Sequence, residues 1–504
     1  MARYRGTSLL SAITALAAAL GAMPLAAQAG EAAAPAGWIS QWIREVLQTG
    51  ATPALAVAVV QGDSIIYARA SGVADLATGQ PATDSTRFYV ASTTKAFTAL
   101  AAAVLDQRGR LPLGASLRDV FPELALHDSL SPASISMRDL LALRSGIGDG
   151  PVIVRTAYTG EFTTPVLISL LRTHGPAPAG RAFYYSNVGY NIYGMALERR
   201  LGRPWQDVVA ETVLTPLGMH GTTARVSSLP GYRLAMPHEF VRGELARAPL
   251  QKSDQTMHAA GGHVTTAGDL ARFLLAQLNE GRVRGQPGVP AAAVSETHRL
   301  NTPQNRQFSF VRRTGWGLGW DIGEYDGNLL LQRNGGFRGY YSHVSFLPGR
   351  ELGVAVLANG GLDGDAAETL ARGIYDVLLG RLDRSALAAR RDSLAASVAR
   401  ARQPRSDAAR TPLPGQPSRY FGRFTNDVLG TLELEGNDEV LLVRMGDSWD
   451  FASGVPGPDG KPLPDALAAG VLGGAQRFTV RFGADGRAEE LTVRRFAFRR
   501  AGAP

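Results

Sequence analysis

The chain has no cysteine. That excludes a disulfide framework, a thiolate nucleophile, a lipid-attachment thiol and every thiolate metal site. Lysine is nearly absent too: of 52 basic residues only Lys95, Lys252 and Lys461 are lysine, and arginine supplies the rest. The formal charge of +8 includes Arg3 and Arg5 and is otherwise spread along the chain. No basic block is interleaved with aromatics, so a nucleic-acid partner has no support. The eight histidines are scattered. His238-Glu239 opens like a zinc-protease helix, but Arg242 stands where the second histidine belongs, so no metal is expected. Neither a Gly-x-Ser-x-Gly elbow nor a Gly-x-Gly-x-x-Gly turn after a strand occurs, which disfavours the α/β-hydrolase triad and dinucleotide binding. No cofactor is expected.

The one sustained apolar run, Leu9–Leu20, follows Arg3 and Arg5 and precedes Ala27-Gln28-Ala29. This is the pattern of an export signal over 1–29, cleaved before Gly30. As a membrane anchor the run is short, and Pro24 interrupts its far end. The mature protein is therefore expected to be periplasmic or secreted, without a transmembrane anchor. At 504 residues, 45% of them hydrophobic, the chain is long enough for two or three domains.

After an Ala/Pro/Gly stretch, "WISQWIREVLQTG" has helical spacing, and "PALAVAVVQGDSIIYARASG" reads as a hairpin turning at Gln61-Gly62-Asp63. Residues 110–310 carry mainly helical patterns broken by Gly/Pro loops. Strand signals return at "NLLLQRNGG" and "YYSHVSFLPGRELGVAVLANG", the latter turning at Pro348-Gly349, before the helix "DAAETLARGIYDVLLGRL". Strands at both ends and helices between predict an α+β unit over 38–382, with its two ends in one antiparallel sheet. Residues 383–418 read as a helical, then Pro-rich linker, and 419–500 as a small all-β domain. Trp316 and Trp320 in "GWGLGW" read as packing residues rather than the lining of a cleft.

One of the three lysines stands in "FYVASTTKAFTALAAAVLDQRG", three places after Ser92, where the spacing of Phe97, Leu100, Ala101 and Val104 predicts a helix. Residues three apart share a helix face. At a helix start, free N–H groups and the dipole favour negative charge near the Ser92 hydroxyl. A serine becomes nucleophilic when a base takes its proton. Lysine can be that base where burial and nearby positive charge lower its pKa; arginine cannot. The competing reading is a capping serine with an unrelated surface lysine.

The stretch "DSTRFYVASTTKAFTA" resembles the nucleophile region of the serine β-lactamase and penicillin-binding protein superfamily, in particular its class C β-lactamase, DD-peptidase and esterase branch. The resemblance continues in order through "SMRDLLALRSGIGD", "GRAFYYSNVGYNIYGMALE", "AAGGHVTTAGDLARF", "TGWGLGW" and "RNGGFRGYYSHVSFLP", over roughly residues 40–380. It implies a β-lactamase/transpeptidase-like fold and an acyl-enzyme mechanism. Tyr185-Ser186-Asn187 matches the family's Tyr-x-Asn. On that match Tyr185 relays protons with Lys95, and Asn187 donates to a substrate carbonyl and holds Lys95. Where the family carries Lys-Thr-Gly or His-x-Gly, this chain has Arg333-Asn334-Gly335. Arg333 is then expected to orient substrate, with Asn334 in the position of a hydroxyl residue and Gly335 and Gly336 allowing close approach. The backbone N–H groups of Ser92 and Gly336 would form an oxyanion hole.

The resulting expectation is an exported serine hydrolase acting on an amide or ester: a D-amino-acid peptide of peptidoglycan type, a short-chain ester or a β-lactam. A substitution of the third motif of this size weakens the case for efficient β-lactam hydrolysis. The alternative is a non-catalytic member that binds peptidoglycan or a partner protein through its β domain. Oligomeric state and the role of that domain are not encoded in any motif.

Overall fold

The computed structural model describes residues 35–159, 163–173, 175–229, 234–241, 243–250, 252–403, 411–472 and 476–502. The expected export signal, 1–29, lies outside them. Helix α1 (Pro35–Gln48) leads into the predicted hairpin of β1 (Ala54–Gln61) and β2 (Ser64–Asp75), with Gly62 at φ +59° in its turn. A short strand, β3 (Gln80–Pro81), follows. The remaining strands come from the far end of the domain. They are β4 (Thr302–Phe308), β5 (Val311–Trp316), β6 (Asp321–Tyr325), β7 (Asn328–Phe337), β8 (Tyr340–Leu347) and β9 (Leu352–Ala358). Together they form one nine-stranded sheet, ordered β4-β5-β6-β7-β8-β9-β1-β2-β3. β1 pairs antiparallel with β9, so both ends of the domain meet in the centre of the sheet, as the strand signals predicted.

β1 is buried along nearly its whole length because both faces are covered. Ala56, Ala58 and Val60 face one core, which includes helices α2 (Thr94–Gln107), α3 (Thr164–Thr173), α4 (Val188–Leu201) and α5 (Ala267–Leu278). Leu55, Val57 and Val59 face a second core, with Trp38 and Trp42 of α1 and with α6 (Asp363–Leu378). A strand buried on both faces loses the polar alternation of a half-exposed one. Trp316 and Trp320 are fully buried in the first core.

The helical part of the expected linker is α7 (Leu387–Arg402), and its Leu387, Leu394 and Val398 belong to the second core. The helix is therefore fastened to the first domain, and the Pro-rich stretch alone separates the two units. Beyond it, nine strands between Gly422 and Arg500 make a second antiparallel sheet with its own core of Phe424, Leu432, Phe478 and Phe498. The two edge strands of that sheet, Ser448–Phe451 and Ser453–Pro456, are separated by Ala452 alone. The sheet must therefore curl until its edges meet, around an interior filled by side chains. No described helix is long and apolar enough to cross a membrane.

Candidate active site

Ser92 lies in a single 3-10 turn, Ala91–Thr93, that runs directly into α2. Ala91 before it has φ +43°, a left-handed conformation that costs a non-glycine residue about 1 kcal/mol or more. The turn is held from the sheet side. Thr93 Oγ1 is 2.8 Å from Ser342 Oγ, and Ser342 Oγ donates to the carbonyl of Val90 at 2.8 Å. β6 begins at Asp321, opposite Gln332, so the last part of β7 pairs only with β8 and leaves an edge facing this turn. Gly335 sits on that edge. A β-carbon there would come within 2.0 Å of Val90 O and 2.8 Å of the Ser92 nitrogen, so only glycine allows the two backbones to meet. Gly336 follows it and is exposed.

Lys95, the second residue of α2 and one turn beyond Ser92, has no exposed surface. Its amine is 3.1 Å from Ser92 Oγ, and it donates to Asn187 Oδ1 at 2.6 Å and to the Ala260 carbonyl at 2.9 Å. Tyr185 is half-buried, and its hydroxyl is within hydrogen-bonding reach of both Ser92 and Lys95. Tyr185 and Asn187 come from the loop before α4. That loop is anchored by Asp149, whose Oδ1 accepts from the backbone N–H groups of Asn187 and Val188, both at 3.0 Å.

The electrostatics follow from burial and charge. Burial lowers the Lys95 pKa, the Tyr185 oxygen pulls it back up, and the Arg333 guanidinium pushes it down again; the net shift is downward. For Tyr185, burial would raise the phenol. The charges of Arg333 and Lys95, with hydrogen bonds from Ser92 and Lys95, outweigh that and bring it down. An amine that sheds its proton more readily thus faces a phenol that does the same. Burial pushes Asp149 up to about 6, against the N–H of Val188, the Lys95 charge and the N–H of Asn187.

The third motif divides. Arg333 is 4% exposed, with its guanidinium 5.2 Å from the Tyr185 ring and 5.1 Å from that of Trp316. Its Nε donates to the Asn334 carbonyl at 2.9 Å, and Asp321 stands 3.4 Å from its terminal nitrogen. Its charge is brought to the Ser92–Lys95–Tyr185 cluster, while Nη1 faces Asp321 without making a hydrogen bond among the described residues. Asn334 is not brought there by its side chain. Its amide donates to Tyr341 at 2.9 Å and Glu368 at 2.6 Å, and its oxygen accepts from Arg313 at 3.0 Å. Among the described residues no group of three or more acidic or histidine side chains could hold a metal ion. His238-Glu239 starts a strand, His238–Val241, rather than a helix.

Sequence reasoning missed three participants. Asp149 stood in the quoted "RSGIGD", where a carboxylate after glycines gives no sign that it will bind the start of a distant helix. Ala260 acts through its carbonyl and leaves no side-chain signature. Asp321 became visible only through its place beside Arg333.

A family model described as Beta-lactamase matches residues 39–379. Penicillin-binding protein 4 of Amycolatopsis lactamdurans is 28% identical over 336 residues, 66% of this chain and 86% of that protein. Seven further curated relatives are longer, and the chain spans 60–62% of their length. Among solved structures, the octameric penicillin-binding protein homologue from Pyrococcus abyssi aligns with a TM-score of 0.58 at 19% identity. It covers 92% of this chain and 99% of its own, so the match takes in the C-terminal β domain. The D-amino acid amidase of Ochrobactrum anthropi SV3, in complex with L-phenylalanine amide, has a TM-score of 0.56 at 22% identity, over 68% of this chain and 98% of its own. At these identities the solved structures speak for the fold.

Proposed function

Since the chain belongs to the beta-lactamase family, a family of serine hydrolases, we propose that it is an exported hydrolase that cleaves amides or esters through an acyl-enzyme on Ser92. The observation that carries this reading is the Lys95 amine, wholly buried, 3.1 Å from the Ser92 hydroxyl and easier to deprotonate than an ordinary lysine.

In the acylation step Ser92 Oγ bonds to the substrate carbonyl carbon while its proton passes to Lys95, with Tyr185 sharing it. The negative charge on the carbonyl oxygen falls to the backbone N–H groups of Ser92 and Gly336, in the gap that Gly335 keeps narrow. The carbonyl–leaving-group bond then breaks, and the leaving nitrogen or oxygen takes the proton back through Tyr185. A water, deprotonated by the same pair, attacks the ester, and Ser92 regains its hydrogen. Asn187 holds Lys95 in place at 2.6 Å.

The surroundings of Arg333 favour substrates without a carboxylate next to the scissile bond. Nearly fully buried against two aromatic rings, with one terminal nitrogen facing Asp321, the guanidinium tunes Tyr185 and Lys95 and presents almost no surface to an anionic substrate. Amino-acid amides and short esters fit this better than carboxylate-terminated peptides or β-lactams. The non-catalytic alternative has no use for a buried amine aimed at a serine.

Labelling by a fluorophosphonate tests the reading. The wild-type chain is expected to label and Ser92→Ala to remain unlabelled under the same conditions. Equal labelling of the two would remove Ser92 from the chemistry.

A further inference from the structure

The hydrolase site leaves a second buried lysine without a task. Lys252 is 5% exposed, and the hydrogen bond its amine makes is to the carbonyl of Ser253, its own neighbour. It lies 5.3 Å over the ring of Tyr89, whose hydroxyl is buried and has no partner among the described residues. An ammonium carries three donors, so among the described residues Lys252 retains uncommitted ones. Burial pushes its pKa down to about 7 despite Asp254 and Asp447, which is the behaviour of a cation without a close counter-ion.

Lys252 lines a cavity of about 770 Å³ at the junction of the two domains, and Asp447 of the β domain lines the same cavity. Asp447 Oδ2 is buried and accepts no hydrogen bond among the described residues. The turn that carries it is clamped to the first domain. The Asp447 N–H donates to the Tyr158 carbonyl at 3.0 Å, Ser448 bridges to Leu250, and Gly446 lies flat on Thr159, where a β-carbon would come within 2.1 Å of the Thr159 oxygen. The other charged groups on the wall are committed elsewhere. Asp254 accepts from the Ser227 N–H at 3.0 Å and from its hydroxyl, and Arg247 faces Asp75 at 4.0 Å.

A buried donor and a buried acceptor of opposite charge therefore line one cavity without forming an ion pair with each other. A buried polar group left unpaired costs about 1–3 kcal/mol, so a molecule that satisfies both at once has a strong advantage over one that satisfies either. We propose that this inter-domain cavity binds a small α-amino acid as its zwitterion, with the carboxylate on Lys252 and the ammonium on Asp447. The site lies beside the reaction centre. Tyr89, under the Lys252 amine, packs edge-on against Phe337 at 5.7 Å, and Phe337 is two residues along β7 from the Gly335 that touches Ser92. The proposal goes beyond the hydrolytic reading and does not depend on it.

The test is calorimetric titration of the full-length Ser92→Ala protein with D-alanine, L-alanine, ethylamine and acetate. At least one enantiomer of alanine is expected to bind, with ethylamine and acetate weaker by about tenfold or more, because each satisfies one group. Asp447→Asn and Lys252→Met in the same background should each weaken alanine by about tenfold or more. No heat up to tens of millimolar alanine, on the order of the weakest useful affinity, would overturn the proposal. So would unchanged affinity in both variants, or ethylamine or acetate binding as tightly as alanine. If Lys252→Met does not fold, Asp447→Asn decides the matter, since it lies on a turn and keeps its volume. With Ser92 intact, Asp447→Asn is expected to label normally with fluorophosphonate. Loss of alanine binding with labelling preserved, and loss of labelling in the wild type, thus report on separate claims.

Discussion

Lys95→Arg separates charge from chemistry at the centre of the site. The substitution keeps a cation near Ser92, Asn187 and the Ala260 carbonyl, which receive the lysine amine at 3.1, 2.6 and 2.9 Å. It removes the ability to become neutral, because a guanidinium does not release its proton in this pH range. General-base assistance contributes about 10²- to 10⁴-fold to rate, so acylation of Ser92 is expected to fall by that factor. The arginine must also fit where Lys95 has no exposed surface, and overpacking of this kind costs about 1–3 kcal/mol. That is a fraction of the stability of a typical domain, so the variant should fold. The assay is the second-order rate of fluorophosphonate labelling, read beside a thermal melt of the same sample. A folded Lys95→Arg protein that labels within about threefold of wild type, far inside the expected loss, would refute the argument that lysine is there to shed a proton.

Other consequences follow from the same geometry. Arg333→Met removes the charge that lowers the pKa of both Lys95 and Tyr185, so the rising limb of the pH–rate profile should move to higher pH; a limb that stays put or moves to lower pH contradicts this. Gly335→Ala places a methyl group 2.0 Å from Val90 O and 2.8 Å from the Ser92 nitrogen; labelling should fall by about 10²- to 10³-fold, the cost of spoiling one oxyanion donor, and near-normal labelling would show that the edge does not border the reaction. Asp149 binds its proton more tightly folded, at about 6, than unfolded, near ~4, so its stabilising contribution is full at low pH and is lost as pH rises from ~4 through 6. Asp149→Asn lacks that loss. Urea unfolding should therefore show the variant gaining on wild type by on the order of 3 kcal/mol between pH 4 and 7, and a constant difference would refute the assignment.

The central hairpin, the helix after Ser92 and the returning strands were legible because their signals are local. β-branched runs with a Gly turn, a 3–4 apolar period and the Ser-x-x-Lys spacing need only neighbours along the chain. The scarcity of lysine also belongs to the sequence, and it singled out Lys95 before any coordinate did. Tyr185 and Asn187 were placed by resemblance, since a tyrosine and an asparagine in a glycine-flanked loop carry no chemistry on their own.

Other features could be decided only by the folded chain. Arg333 and Asn334 are adjacent in sequence, yet a strand sends successive side chains to opposite faces. One therefore lies against Tyr185 and the other reaches Glu368. Whether α7 is a free linker depended on whether Leu387, Leu394 and Val398 found an apolar surface, and that surface is assembled from α1 and α6 at the two ends of the domain. Likewise, residue 252 and residue 447 share a cavity because a turn of one domain rests on Tyr158 and Thr159, at the end of the helix Gly150–Tyr158 of the other. The sequence determines which residue types are available to move a proton. Burial and the charges brought within a few ångströms determine which of them can, and those are properties of chain segments that meet only in space.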